Sequence, residues 1–461
     1  MRQASQPRSE KPGTRFRGLL YRLYRRYAGM SAVWRSRLTP AGSVALAMLV
    51  VSAAVGLDTN RSTAYQFFTL LAAAIAVAIL HNALFRPRVR ITRACPRFAS
   101  AGTRFSYRVS VTNLRRRPCA GLRLREFFPV PVPDRAAFFE AHEPGESERN
   151  RFDRTFLFYR WLWLVEKARC AQSEASAPFR LGPHGKAVVK LELEPRKRGI
   201  LQLADCRVLR PDVFGLFNAQ RRPREECVDT VMVLPKRYAL PPLALSGRSQ
   251  YQPRGVALAG SVGQSEEFLG IREYRAGDPL RHMHWKSWAR VGKPMVLEFE
   301  DEFFPRYALA LDTFAQFDRD NVFEEAVSIA ASFACTLDTK DSLLDLMFVG
   351  AEAYRFTSGR GTSQPERLLE ILAAVALCRE KRFETLDALI RLHAAELSAC
   401  ICILIDWDDA RRACVERLRA QGVDVLVLVV CAPGDPRVDA EHGERVHFIE
   451  STRVAEGLSK L

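Results

Sequence analysis

Two long uncharged stretches near the start of the chain constrain its fold more than any other feature. Leu38–Leu57 is twenty residues without a charge, and Ser62–Phe85 is twenty-four whose only ionisable side chains are Tyr65 and His81. As a helix, each can cross a bilayer core of about 30 Å. Only Asp58, Thr59, Asn60 and Arg61 separate them, so the pattern predicts antiparallel neighbours, a transmembrane hairpin over residues 39–85. A signal peptide would carry a cleavage site and nothing apolar close behind. Ten Lys and Arg precede the first stretch, Arg61 alone lies between, and Arg86, Arg88, Arg90 and Arg93 come after the second. Cytoplasmic flanks carry such an excess, which predicts a two-pass protein of the cell inner membrane with both termini and residues 86–461 in the cytoplasm.

Charge and cysteine content narrow the rest. The net charge is +17, but +9 of it sits in residues 1–38, so the basicity is a local tail and not a nucleic-acid footprint on a folded surface. Within that tail Phe16, Leu19, Leu20, Leu23, Tyr24 and Tyr27 repeat at helical spacing, with Arg15, Arg22, Arg25 and Arg26 between them. This suits an amphipathic helix lying in an anionic lipid interface, the alternative being a solvated basic tail. The eleven cysteines show no C-x-x-C pair and read as reduced thiols. Cys400 and Cys402, two apart in an apolar run, belong on one face of a buried strand.

With 461 residues the chain has room for two to four folded units, and 48% hydrophobic content excludes a disordered chain. Residues 86–235 hold short β-rich runs broken by Gly and Pro, which predicts an antiparallel β-sandwich of immunoglobulin-like type. The aromatic run Phe152–Val165 reads as an interior element or as a membrane- or partner-facing patch. From residue 303 to 461 strands alternate with amphipathic helices, which predicts a doubly wound α/β domain with a crevice at the carboxyl ends of its strands.

Between these regions, in the segment 236–302, lies a dense pattern: Phe268, Gly270, Arg272, Tyr274, Gly277, Asp278, Arg281, Trp285, Ala289 and Arg290. Gly277-Asp278-Pro279 is a turn and helix-start signal in which Asp278 can cap a helix beginning at Pro279. Arg272, Arg275, Arg281, Lys286 and Arg290 suit an ion-pair clamp between domains, or a phosphate or acidic-partner site. His282 and His284 lack a nucleophile or carboxylate partner at a fixed spacing, so no catalytic residue is assigned.

These ten positions resemble the signature F-x-G-x-R-x-Y-x-x-G-D-x-x-R-x-x-x-W-x-x-x-A-R of the domain-of-unknown-function 58 family. The resemblance extends to the hairpin, to a D-x-F-G-L-F turn at Asp212–Phe217 and to the last domain, whereas an insert near residues 135–185 is longer than the family usually has. It implies a membrane-anchored protein with a von Willebrand factor A-like C-terminal domain. It also implies a non-enzymatic adaptor or assembly role beside a MoxR-type AAA+ ATPase and other membrane proteins, without a cofactor. The alternative is an enzyme or anionic-ligand-binding protein using Arg272–Arg290. Von Willebrand factor A domains bind Mg²⁺ through a D-x-S-x-S loop. Here the matching residues are Asp312, Thr313, Phe314, Ala315 and Gln316, so Phe314 and Gln316 replace the serines. Even with Asp406 or Asp408 added, the set is degenerate and no metal is expected.

Overall fold

The computed structural model describes residues 12–55, 62–241, 268–276, 278, 280–299, 305–314, 320–337, 342–359, 365–438 and 445–461. They form two units, one ending at Lys236 and one beginning at Arg237.

The first unit opens with helices α1 (Pro12–Arg37), α2 (Pro40–Val55) and α3 (Ser62–Leu84). The span Thr63–Leu84, at about 33 Å, is the one described helix both long and apolar enough to cross a membrane. The sixteen described residues of α2 reach about 24 Å, short of the bilayer core, so they do not by themselves support a second full span. Ser62 begins α3, and the link from 56 to 61 lies outside the described residues. α2 packs on α3, yet Val44, Met48, Val50, Phe67, Leu70 and Leu80 stay exposed.

A β-domain comes next, built from β1 (Val89–Ala94), β2 (Phe98–Ser100), β3 (Phe105–Asn113) and β4 (Cys119–Glu126). After the insert helices α4 (Arg135–Glu140), α5 (Arg151–Phe156) and α6 (Phe158–Ala168) come β5 (Ala171–Ser173), β6 (Phe179–Leu181), β7 (Lys186–Pro195) and β8 (Gly199–Leu203). The domain closes with β9 (Cys206–Pro211), β10 (Asn218–Arg221), β11 (Glu225–Glu226) and β12 (Asp229–Leu234). Three sheets result, ordered β11-β1-β3-β7-β5, β10-β9-β4-β6 and β2-β12-β8. Alternation drives their packing: Tyr107, Val109 and Val111 of β3 and Val189, Leu191 and Leu193 of β7 face inward, meeting Leu122, Leu124, Leu203, Val208 and Val231 in one core. Inside that domain the Arg93 guanidinium is fully buried against Glu126, 3.0 Å away, and Glu226. The Tyr107 hydroxyl also donates to Glu126 at 3.2 Å. Burial pushes the Glu126 carboxyl up against the pull of Arg93.

The D-x-F-G-L-F turn grips the base of the helices. Asp212 accepts backbone N–H bonds from Phe214, Leu216 and Phe217 at 2.8, 3.0 and 2.8 Å. That locks the turn so that Leu216 O receives the Thr39 N–H at 3.1 Å, and Gly215 O the Thr39 hydroxyl at 2.7 Å. A Cβ on Gly42 would stand 2.0 Å from Leu216 O, so only glycine admits this approach. Arg221 donates to Phe85 O at 3.0 Å and Asn82 O at 3.3 Å, holding the other end of α3.

The aromatic run Phe152–Val165 is helical, as α5 and α6, and much of it packs on α1. Leu20, Tyr24 and Ala28 meet Phe138, Leu157, Trp161 and Leu164 in a separate core. One face of α1 is therefore inside the protein and not in lipid, a correction to the interfacial reading of its whole apolar stripe.

The second unit begins with the antiparallel hairpin β13 (Phe268–Glu273) and β14 (Met295–Phe299), with the short helix α7 (Trp285–Val291) in its connection. The α/β domain continues with β15 (Arg306–Leu311), α8 (Asp320–Thr336), β16 (Leu343–Val349), β17 (Ala353–Ser358), α9 (Pro365–Ala374) and α10 (Glu384–His393). It ends with β18 (Ala399–Leu404), α11 (Asp409–Ala420), β19 (Asp424–Cys431), β20 (Val446–Glu450) and α12 (Val454–Leu458). The sheet runs β17-β16-β15-β18-β19-β20, parallel except at β17. All six residues of β18 are buried, as a strand covered on both faces requires. Alternate residues Ala308, Met347, Cys400, Cys402 and Val427 pack beneath α10 and α11, while α8 packs on the strands without joining that cluster. Cys400 and Cys402 share this face, as alternation predicts, with Sγ atoms 3.6 Å apart. Among the described residues all cysteines are free thiols.

Candidate functional site

In an open α/β sheet the ligand crevice lies where strand order reverses, here between β15 and β18. Asp312, the first residue after β15, occupies that point with no exposed surface. Its backbone N–H donates to Ile403 O at 2.9 Å. Its carboxylate accepts from Phe314 N (2.9 Å), Ile405 N (3.2 Å) and the Arg411 guanidinium Nε (2.7 Å). Arg411 also donates to Asp408 Oδ2 at 2.6 Å and Phe314 O at 3.3 Å, and lies over the Phe383 ring at 4.7 Å. Burial pushes the Asp312 carboxyl up, while the same carboxylate holds Arg411 protonated. Each of these three partners of the Asp312 carboxylate is a donor, so the ionised form is the one this geometry accommodates.

The loop therefore carries its cation as a side chain. Thr313 turns its hydroxyl to Val349 O at 2.6 Å, and Asp406 accepts the Trp407 N–H at 2.8 Å while its charge also acts on Arg411. Gln316 lies outside the described residues. Arg411 lies against the Asp312 carboxylate, and the described residues of the loop do not fit a metal. Among the described residues no group of three or more His, Cys, Asp or Glu could hold one. Arg411 escaped the sequence reading, although an Asp408 with Arg411 three residues on, at a helix start, is a visible pairing signal.

The signature residues gather on the β13–β14 hairpin. Arg272 on β13 makes a two-pronged bond to Asp278, with Nη1–Oδ2 2.7 Å and Nη2–Oδ1 2.9 Å. Asp278 also accepts the Arg275 N–H at 2.9 Å, so its carboxylate is turned back onto the preceding turn instead of capping a helix after it. The Arg272 hydrogen bonds hold its pKa down at about 2. Gly270 marks a register shift in β13, and the Tyr274 N–H donates to Pro294 O at 2.9 Å, closing the hairpin's far end. Gly277 and the Phe268 side chain lie outside the described residues.

His284 caps α7, its Nδ1 lying 2.7 Å from the Ser287 hydroxyl and 3.3 Å from Ser287 N. Arg281 donates to His282 at 3.3 Å. Both histidines are thus engaged locally, His284 with the Ser287 hydroxyl and backbone N–H that it caps and His282 with Arg281. Trp285 stacks on Trp288, ring centroids 5.3 Å apart, yet is 65% exposed. Arg275, Arg281, Lys286, Ala289 and Arg290 are exposed beside it. One pair fixes the segment while Arg275, Arg281, Lys286, Arg290 and Trp285 are exposed, an arrangement that can bind an acidic surface.

No curated protein matches the chain. Among solved structures, the CARDB domain of a Pyrococcus furiosus protein is 12% identical, covers 32% of this chain and 94% of its own, and has a TM-score of 0.17. The Pseudomonas fluorescens alkylpurine DNA glycosylase AlkC, bound to DNA containing an abasic site analog, is 11% identical over 36% of this chain and 38% of its own, with a TM-score of 0.18. Scores this low carry no argument about fold or activity. Residues 270–435, from the signature hairpin to just past β19, match the model of the protein family of unknown function DUF58. Over those residues the chain is similar to the DUF58 family.

Proposed function

We propose that the protein is a membrane-anchored, non-enzymatic adaptor whose signature segment presents a basic and aromatic face to a MoxR-type AAA+ ATPase. The observation that carries this reading is the division within that segment: Arg272 is engaged by Asp278, whereas Arg281, Lys286, Arg290 and Trp285 are exposed. Arginine and tryptophan are the residue types that dominate protein interfaces. In this reading the α/β domain is von Willebrand factor A-like, supported by the strand order third-second-first-fourth-fifth-sixth with its antiparallel edge. The β-domain is immunoglobulin-like, supported by sheets that share one core. In this reading α3 spans the inner membrane and α2, packed on it, is the other arm of a hairpin, and the basic flanks and free thiols support a cytoplasmic position for both units.

Affinity capture of the full chain from detergent-solubilised membranes tests the partner, and an AAA+ ATPase is the expected companion. Capture that recovers the chain but no ATPase would remove that half of the proposal. Cys170 and Cys227 are exposed and test the orientation. A membrane-impermeant maleimide is expected to spare both in intact cells and to label them after lysis, and labelling of intact cells would reverse the topology.

A further inference from the structure

Helix α1 carries two apolar faces, and the chain itself satisfies one. Leu20, Tyr24 and Ala28 are buried on the insert, where the Tyr24 hydroxyl donates to Phe156 O at 2.8 Å and the Tyr21 hydroxyl to Pro133 O at 3.0 Å. Phe16, Leu19, Leu23, Tyr27 and Trp34 recur at helical spacing beside that seam and remain exposed. The insert extends the same surface. Phe152 on α5 is 67% exposed and lies 4.4 Å from the Phe156 ring, which meets Phe16 edge-on at 6.1 Å.

The charges around this surface are mostly of one sign. No acidic residue occurs in α1, and Arg22, Arg25 and Arg26 are exposed on it, as are Arg151 and Arg154 beside the phenylalanines of α5, where Asp153 is the one acid. Two residues after α1 the chain enters α2, which with α3 exposes apolar side chains along its length. The same bilayer is therefore within reach, and aromatics interleaved with arginines suit its headgroup boundary.

We propose that α1 and the insert form one docking surface for an anionic bilayer, with Phe16, Phe152 and Phe156 entering the acyl boundary and the arginines meeting headgroup phosphates. The proposal rests on α3 being a membrane anchor and assigns the insert its role.

The test uses the full chain in nanodiscs of phosphatidylcholine with or without phosphatidylglycerol. An environment-sensitive fluorophore is placed at Phe152→Cys in a Cys170→Ser, Cys227→Ser background, with Ile200→Cys on the exposed β8 edge as the control site. The expected result is blue-shifted emission at position 152, quenched by lipid-borne nitroxides in anionic discs and unquenched at position 200. Replacing Arg22, Arg25 and Arg26 by Gln should lower the ratio of inserted to free surface by about fivefold for each cation lost. Emission at 152 that stays water-like and open to iodide in anionic discs overturns the proposal. Emission that is shielded but insensitive to lipid nitroxides also overturns it, since a second copy or a protein partner would then cover the surface. Retention of the chain in carbonate-washed membranes is scored separately, so failure of the anchor and failure of this docking surface are distinguishable.

Discussion

The signature hairpin and the sheet crevice are each built on an aspartate–arginine pair, and the pairs differ in where they sit. Asp312 and Arg411 close the crevice at the strand-order reversal, with side chains 0% and 6% exposed. Arg272 and Asp278 tie a turn to a surface hairpin and remain partly open to water. The same chemistry therefore does opposite work. In the buried pair both partners are committed to each other and to backbone groups, at the place where an open α/β sheet would take a ligand. In the exposed pair the bond only fixes the hairpin, and the neighbouring cations stay exposed. Location, and not residue type, separates a structural pair from one that supports a binding face.

That contrast can be broken by mutation. Arg411→Ala should produce the largest effect, about 3–5 kcal/mol of stability, because it strands a buried carboxylate. Pairing it with Asp312→Leu should recover much of the loss in a double-mutant cycle of denaturant melts. A loss within about 0.5 kcal/mol for Arg411→Ala alone would mean the pair is not buried as described. Wild-type protein should show no saturable Mg²⁺ site by calorimetry, since Arg411 already lies on Asp312. Micromolar binding abolished by Asp312→Ala would contradict that.

Gly42→Ala gives a steric yardstick between the extremes, with about 1–3 kcal/mol expected from forcing a Cβ against the Leu216 carbonyl. No loss would mean that the turn's grip on α2 is slack.

The exposed pair should reveal itself mainly through pH. Asp278 has its folded-state pKa lowered from 3.8 to about 2. Its contribution is therefore fully present above the ordinary value and disappears as pH falls through the lowered one. The difference in melting between wild type and Asp278→Asn should be constant above about pH 5 and should close towards pH 2. A difference that persists at pH 2 would point to packing instead of charge. Smallest of all, Arg281→Ala and Arg290→Ala should leave stability within about 0.5 kcal/mol, as exposed residues do.

Much of this organisation was legible in the sequence because it is periodic. The buried strands at Ala399–Leu404 and Asp424–Cys431, the helix at Asp320–Thr336 and the Cys400–Cys402 face all follow from apolar spacing. The edge strand Ala353–Ser358 was missed, although Tyr354 and Phe356 alternate with polar residues and stack on Phe348 across the ladder. The first uncharged stretch is helical from Pro40 to Val55, the last residue described before the link, and absence of charge marks an apolar helix without setting its length. The role of α1 was half legible. Spacing identifies an amphipathic helix, but which apolar residues meet the insert depends on Phe138 and Trp161, more than a hundred positions away. Arg411 was illegible as the partner of Asp312 for the same reason, since only the fold brings α11 over the end of β15.

The central claim is that function lies on the exposed signature face and not at the buried Asp312–Arg411 pair. It is tested most directly by measuring melting and ATPase co-purification on the same detergent-solubilised samples of wild type and Arg281→Glu/Arg290→Glu. The account predicts an unchanged melting temperature with loss of the ATPase. An ATPase retained by that variant at wild-type levels would contradict it.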